Sequence, residues 1–102
     1  MEHKGYVYMM STTKNKVIYI GVTSSLKRRV QEHADGRGSV FTSRYSCKKL
    51  VYWEVFSDIE QAIARESRLK RYKREWKIAL IESVNPDWED LSMTVEVDPS
   101  IA

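Results

Sequence analysis

Two short aromatic motifs, Tyr6-Val7-Tyr8 and Tyr19-Ile20-Gly21, lie in the apolar runs 5–10 and 17–22 near the start of the chain. The polar segment 11–16, which contains an asparagine, separates the two runs. Apolar runs on both sides of such a loop predict an antiparallel β-hairpin. A symmetric loop would place Tyr8 directly opposite Tyr19. Cross-strand tyrosines often serve packing alone, but a buried phenol also requires a hydrogen-bond partner.

The remainder of the chain alternates between helical and strand patterns. A helix follows the hydroxyl residues 23–25 and ends at the glycine stop at position 36. Residues 50–56 are β-branched and aromatic, which predicts a third, central strand. Asp58 is expected to cap a long helix through Arg71, and another helix should end near Val84, before Asn85-Pro86.

Composition indicates a single soluble globular domain. The chain has 102 residues, of which 42% are hydrophobic and 30% are charged. We find no signal peptide or apolar membrane span, and the single cysteine, Cys47, excludes an internal disulfide. The sequence around Cys47 predicts a buried thiol and not a catalytic nucleophile. These features favour a reducing, cytoplasmic location.

The charges are divided unevenly along the chain. All 17 Lys and Arg residues lie within residues 1–77 beside 8 acidic residues, which gives +9. Residues 78–102 contain the other 6 acidic residues and no Lys or Arg, which gives −6. A basic body of this kind indicates a polyanionic partner such as nucleic acid, although a solvated surface would show the same excess.

Helical periodicity marks three polar residues on faces that should be buried. Arg29 and His33 share the side of the first helix that carries Leu26, whereas Arg28 points to the opposite side. In the long helix, Glu66 falls within an apolar stripe formed by Ile59, Ala62, Ile63 and Leu69. A carboxylate surrounded by hydrocarbon is costly, so Glu66 should meet a cation, either Arg, Lys or a metal ion.

Five segments together resemble the GIY-YIG nuclease domain family, and within it the small stand-alone bacterial proteins. The segments are residues 6–8, 19–21, 26–33, 64–70 and 85–91, which follow the family's order and approximate spacing. The resemblance implies an α+β fold with a three-stranded antiparallel β-sheet flanked by helices and a catalytic cleft on one sheet face. It places the domain at residues 1–91 and leaves 92–102 as an acidic C-terminal tail.

The family's functional positions transfer to individual residues of this chain. The matched residues are Tyr8, Tyr19, Arg29 and Glu66, with His33 and Asn85 as secondary candidates. The resemblance implies that Tyr8 takes a proton from the attacking water and that Tyr19 positions water or phosphate. It implies that Arg29 binds the scissile phosphate and that Glu66 binds Mg²⁺ or Mn²⁺ as the direct protein ligand. The first motif departs from the family name at Tyr6 and Val7, which carry no assigned chemistry.

Each assignment has a structural alternative. Glu66 could form an ion pair with an arginine, Arg29 could bind Glu66 itself, and His33 could serve helix packing. A phenol with a pKa near ~10 is a poor base at neutral pH unless nearby cations, such as Arg29 and a metal ion, favour the phenolate.

A run of cations with interleaved aromatics supports contact with nucleic acid. The candidate nucleic-acid-binding residues are Lys48, Lys49, Arg68, Lys70, Arg71, Lys73, Arg74 and Lys77. Tyr72 and Trp76, within this run, could stack on bases but are expected mostly in the core. The expected partner is DNA, RNA is not excluded, and a partner protein or a homodimer is compatible with so small a chain.

Three functions are compatible with these features. The first is a divalent-metal-dependent endonuclease that hydrolyses phosphodiester bonds in DNA, for repair or processing. The second is a nucleic-acid-binding module of the same fold with little cleavage activity alone. The third is an adaptor whose acidic tail binds a basic partner. A carboxylate on an apolar helix face favours the first, since a binder has no need of it.

Overall fold

The fold is a three-stranded antiparallel sheet with helices on both faces, which confirms the predicted fold class. The computed structural model describes residues 4–38 and 44–95. The strands are β1 (Gly5–Ser11), β2 (Ile18–Thr23) and β3 (Lys49–Phe56), in the order β2-β1-β3. The expectation that β3 is central was wrong, because β1 pairs on both sides and all of its residues are buried.

Four helices lie wholly within the described residues. They are α1 (Leu26–Ala34), α2 (Ile59–Lys70), α3 (Arg74–Val84) and α4 (Ser92–Val95). Asp58 caps α2 as predicted, because its carboxylate accepts the Gln61 N–H at 2.9 Å. Within residues 4–38 and 44–95, no helix combines the length and the apolar character that a membrane span requires.

The hairpin register differs from the symmetric loop expected from the sequence. Tyr8 lies opposite Gly21 and Tyr19 lies opposite Met10, so the expectation that the two tyrosines face each other was wrong. The loop closes where the Thr12 N–H donates to the Val17 carbonyl at 3.2 Å, which extends β1 to Ser11 and starts β2 at Ile18. This two-residue difference makes Tyr8 and Tyr19 diagonal neighbours on the same sheet face.

The two sheet faces carry separate hydrophobic clusters. On one face, Val7 and Met9 pack against Leu69 of α2 and Ile81 of α3. On the other face, the first-motif tyrosines and Met10 pack against Leu26 and Val30 of α1. This second cluster contains the tyrosines of both motifs and therefore locates the candidate site.

The end of the described chain belongs to this second cluster as well. Val95 of α4 is buried there, and Leu91 packs beside it. The described chain therefore packs on the domain beyond residue 91, the expected domain boundary. The rest of the acidic tail, residues 96–102, lies outside the described residues.

One aliphatic and one aromatic side chain that were expected in the core are exposed instead. Ile63 is 47% exposed and Trp76 is 51% exposed. The Trp76 ring lies 5.7 Å from the Tyr72 ring, edge to face, and the Lys73 ammonium lies 5.5 Å from its centroid. Tyr72 packs against the core as predicted, whereas Trp76 lies outside it among cations.

An ion pair links strand β3 to helix α2. Arg65 donates to both carboxylate oxygens of Glu54, at 2.9 and 3.0 Å, and the Tyr52 hydroxyl donates to the same carboxylate. Burial opposes the charge on Glu54, but the hydrogen bonds from Arg65 and Tyr52 hold its pKa below the ordinary value. Arg65, part of the basic run, therefore serves the fold.

Removing this arginine should destabilise the protein without touching the candidate site. In Arg65→Met the half-buried Glu54 carboxylate loses both donors, and we expect a loss of about 2 kcal/mol in the free energy of unfolding, measured by urea denaturation. Arg68→Met, on an exposed position of the same helix, is the matched control and should change it by less than about 0.5 kcal/mol. Equal effects of the two variants would contradict the structural role of Arg65.

Candidate active site

Three aromatic rings meet at the centre of the second cluster. The Tyr8 hydroxyl lies 3.0 Å from His33 Nε2, a buried hydrogen bond between β1 and α1. The Tyr19 ring lies 6.2 Å from the Tyr8 ring and 5.6 Å from the His33 ring, measured between centroids. The structure therefore brings together Tyr8, Tyr19 and His33, the histidine that helical periodicity predicted on the buried side of the helix.

Two glycines allow this close packing. A Cβ at Gly21 would lie 2.5 Å from Tyr8 Cζ and Oη and 2.9 Å from Tyr19 Cε2. A Cβ at Gly38 would lie 1.9 Å from His33 Nδ1. Any side chain at either position would displace these rings. Sequence reasoning assigned no role to Gly21 or Gly38, although the glycine of the second motif was a visible signal.

Burial decides the protonation state of Tyr8. Burial raises the pKa of Tyr8 well above its ordinary value; the phenol of Tyr19 and the carboxylate of Glu66 act in the same direction. Arg29 lowers the pKa, but burial outweighs it. Arg29 thus favours the phenolate as predicted, but in the protein alone burial keeps the proton on the Tyr8 phenol at neutral pH.

His33 is held in its neutral form. Burial lowers the pKa of His33, and the positive charge of Arg29 lowers it further, while Glu32 acts in the opposite direction. A neutral imidazole with its proton on Nδ1 accepts the Tyr8 O–H at Nε2. Tyr8 and His33 thus form a pair through which a proton can pass from the phenol to the ring.

Arg29 faces the same site from helix α1. Its guanidinium donates to Glu32 Oε1 at 3.1 Å and to the Gly38 carbonyl at 3.3 Å, and 37% of the side chain is exposed. The alternative ion pair with Glu66 is not among the contacts of the described residues. Arg29 is therefore oriented by Glu32 of its own helix and by the Gly38 carbonyl, and it keeps an open side toward solvent.

Glu66 meets the cation that its position requires, since Lys70 Nζ lies 3.4 Å from its Oε2. The Glu66 side chain is 17% exposed. An oxygen donor with partial access to solvent fits Mg²⁺ or Mn²⁺, which retain several waters and take one or two carboxylates. Within the two described ranges, no three His, Cys, Asp or Glu side chains lie close enough together to hold a metal ion. Water and substrate oxygens would therefore have to supply the other ligands.

Asn85 is not brought to this group. Its amide nitrogen donates to the Val51 carbonyl at 3.0 Å and to the Glu89 carbonyl at 2.9 Å, and its oxygen accepts the Glu89 N–H. These bonds tie the end of α3 to strand β3 and to the following turn. The observed contacts of Asn85 are structural, and none joins it to Tyr8 or Glu66.

The candidate nucleic-acid-binding cations divide into tethered and open groups. Lys49 donates to Asn15 Oδ1 at 2.6 Å and Arg74 donates to the Asn15 carbonyl at 3.2 Å, so both hold the hairpin loop. Besides Arg74, the exposed members are Lys48, Arg68, Lys70, Arg71 and Lys73. Lys70 and the half-buried Lys77 line a hollow of about 230 Å³ beside Tyr19.

The buried histidine should make stability depend on pH. The unfolded chain takes up a proton near pH 6.5 that folded His33 resists, so the stabilisation present above that pH is lost as the pH falls through the folded pKa. Between pH 7 and pH 5 the free energy of unfolding should fall by up to about 1.4 kcal/mol per pH unit, measured by urea denaturation. His33→Gln should remove this dependence, and an unchanged slope in that variant would exclude His33 as its source.

Comparison with known proteins agrees with this geometry. The GIY-YIG catalytic domain model matches residues 4–79. A UPF0213 protein of Streptococcus pneumoniae is 36% identical over 76% of this chain and 77% of its own length. A UPF0213 protein of Staphylococcus haemolyticus is 34% identical over 78% of this chain and 95% of its own length. The solution NMR structure of a UPF0213 protein from Bacillus halodurans is 28% identical and superposes with a TM-score of 0.55, covering 85% of this chain and 92% of that one. The chain therefore belongs to the GIY-YIG domain family, beside the small UPF0213 proteins.

Proposed function

We propose that this protein is a divalent-metal-dependent endonuclease that hydrolyses phosphodiester bonds in DNA. The observation that carries the proposal is the convergence on one phenol. Tyr8 hydrogen-bonds His33, lies against Tyr19, and responds electrostatically to both Arg29 and Glu66. Phosphodiester hydrolysis requires a general base, a phosphate-binding cation and a metal-binding carboxylate.

The Tyr8–His33 pair supplies the base. A protonated phenol cannot accept a proton unless it loses its own, and His33 Nε2 lies 3.0 Å from the Tyr8 oxygen. Tyr8 takes a proton from the attacking water while its own proton moves to Nε2, which leaves a neutral phenol and an imidazolium. The depressed pKa of His33 keeps the ring free to accept this proton at neutral pH.

The phosphate is bound by groups on the open side of the cleft. Arg29 donates to the non-bridging oxygens as charge develops on them, a role suited to a planar guanidinium. Tyr19 orients the water or the phosphate from the neighbouring strand. Glu66 would hold Mg²⁺ or Mn²⁺, which supplies Lewis-acid stabilisation of the leaving oxygen. Attack of water forms a P–O bond and the bond to the 3′ oxygen breaks. The 3′ oxygen takes a proton from solvent and the His33 imidazolium releases one to solvent, which leaves a 5′-phosphate and a 3′-hydroxyl.

Cleavage assays test this proposal directly. Single-stranded, supercoiled and branched DNA should be cut in Mg²⁺ or Mn²⁺ and remain intact in EDTA. Glu66→Gln should bind DNA without cutting it, and Tyr8→Phe should cut on the order of 10²- to 10⁴-fold more slowly because it cannot relay a proton. Glu60→Gln, which replaces an exposed carboxylate on the same helix, is the matched control and should cut like the native protein.

The assay also separates the proposed enzyme from a binding module of the same fold. Native protein that binds DNA but does not cut it in either metal ion would support the module. Cutting by Glu66→Gln at the native rate would remove the metal-ligand assignment while leaving nuclease activity in place.

The open cations should carry the affinity for DNA. Replacing Arg68, Arg71 and Lys73 with Ala removes three exposed charges, so we expect weaker binding to a duplex oligonucleotide and a salt slope smaller by about 2 to 3. Fluorescence anisotropy at several salt concentrations measures both. Arg28→Ala, on the outward side of α1, is the control and should leave the slope unchanged. A triple variant with the native slope would show that this surface faces away from DNA.

A further inference from the structure

Glu66 and Lys70 lie one turn apart in α2, and their contact is loose. The Nζ–Oε2 distance of 3.4 Å exceeds the roughly 2.7–2.9 Å of a direct charge-assisted hydrogen bond. The lysine side chain is 57% exposed, whereas the glutamate side chain is 17% exposed. The ammonium can therefore leave for solvent without disturbing the packing, while the carboxylate stays fixed at the edge of the site.

The same lysine lines a second place where it could bind an anion. Lys70 and Lys77 border the hollow beside Tyr19, whose other walls are Ile18 and Ile20 of β2. Two lysines at one hollow suit a phosphate group better than an uncharged ligand. Lys70 thus has two alternative partners, a carboxylate within α2 and an anion in this hollow.

We propose that Lys70 is an exchangeable counterion. It neutralises Glu66 in the DNA-free protein and moves to a DNA phosphate in the hollow beside Tyr19 when the carboxylate takes a divalent cation. This inference rests on the proposed function, because it assumes that Glu66 binds the metal ion and that DNA is the substrate. It adds that metal binding and DNA binding strengthen each other, since each removes the partner that opposes the other.

The first test measures Mn²⁺ affinity of the full, DNA-free protein by electron paramagnetic resonance of the free ion. Lys70→Met should bind Mn²⁺ about three- to tenfold more tightly, because its competitor for Glu66 is gone. Lys77→Met, which removes a charge from the same hollow without an ion pair to Glu66, should keep the native affinity. Lys70→Gln provides a second charge-free variant, and circular dichroism checks that each variant is folded.

The controls separate this inference from the proposed function. Native Mn²⁺ affinity in both Lys70 variants, or an equal gain in Lys77→Met, would overturn the counterion role. Loss of Mn²⁺ binding in Glu66→Gln together with no effect at Lys70 would overturn the exchange alone. Undiminished Mn²⁺ binding in Glu66→Gln would overturn the metal assignment of the proposed function and the exchange with it.

The second test measures where Lys70 lies when DNA is bound. With a 12-base-pair oligonucleotide in EDTA, Lys70→Met should have the native salt slope, because Lys70 remains on Glu66. With Ca²⁺ replacing EDTA, the slope of Lys70→Met should be smaller than that of the native protein by about one. A reduction of the same size in both conditions would show that Lys70 contacts phosphate without exchange, and would overturn the proposal.

Discussion

The hydrogen bond between Tyr8 and His33 is the constraint on which the candidate site depends. It joins the central strand to helix α1 across a buried interface, where an unsatisfied hydroxyl or ring nitrogen would cost about 1–3 kcal/mol. Burial keeps the phenol protonated and the imidazole neutral, so a proton donor, Tyr8, lies beside a proton acceptor, His33. The burial of these two rings therefore also sets the protonation states that the proposed chemistry requires.

Close approach of the backbone is the second condition for this bond. Gly21 lies opposite Tyr8 in the register and leaves space for its ring, and Gly38 lies against the imidazole. The carbonyl of Gly38 also accepts a hydrogen bond from Arg29. Gly38 thus packs against the His33 ring and also orients Arg29, the proposed phosphate-binding cation. The position of this one loop residue therefore affects both the proposed general base and the proposed phosphate-binding group.

Sequence patterns identified the inward-facing residues well and the pairings poorly. Helical spacing predicted the buried sides that carry His33 and Glu66, because the periodicity of a helix is fixed by its own backbone, but Ile63 of the same stripe is exposed. The hairpin register could not be derived in the same way, since it depends on how the Thr12–Val17 loop closes. The prediction that Trp76 lies in the core was wrong for a related reason. The neighbouring elements, and not the local spacing, decide which side of α3 is buried.

Charge balance explains how so small a domain holds a cation and a carboxylate near a buried phenol. Arg29 is paired with Glu32 three residues later, and Glu66 is paired with Lys70 four residues later. Each charge that is proposed to act in the site thus has a counterion on its own helix, at a spacing that brings the two side chains together. In the protein alone these pairs compensate two partly exposed charges and add modestly to stability. A substrate phosphate and a metal ion would then replace existing partners instead of neutralising bare charges, so their binding energy is reduced by the pairs they break. The same two helical ion pairs therefore add to the stability of the protein alone and lower its affinity for ligands.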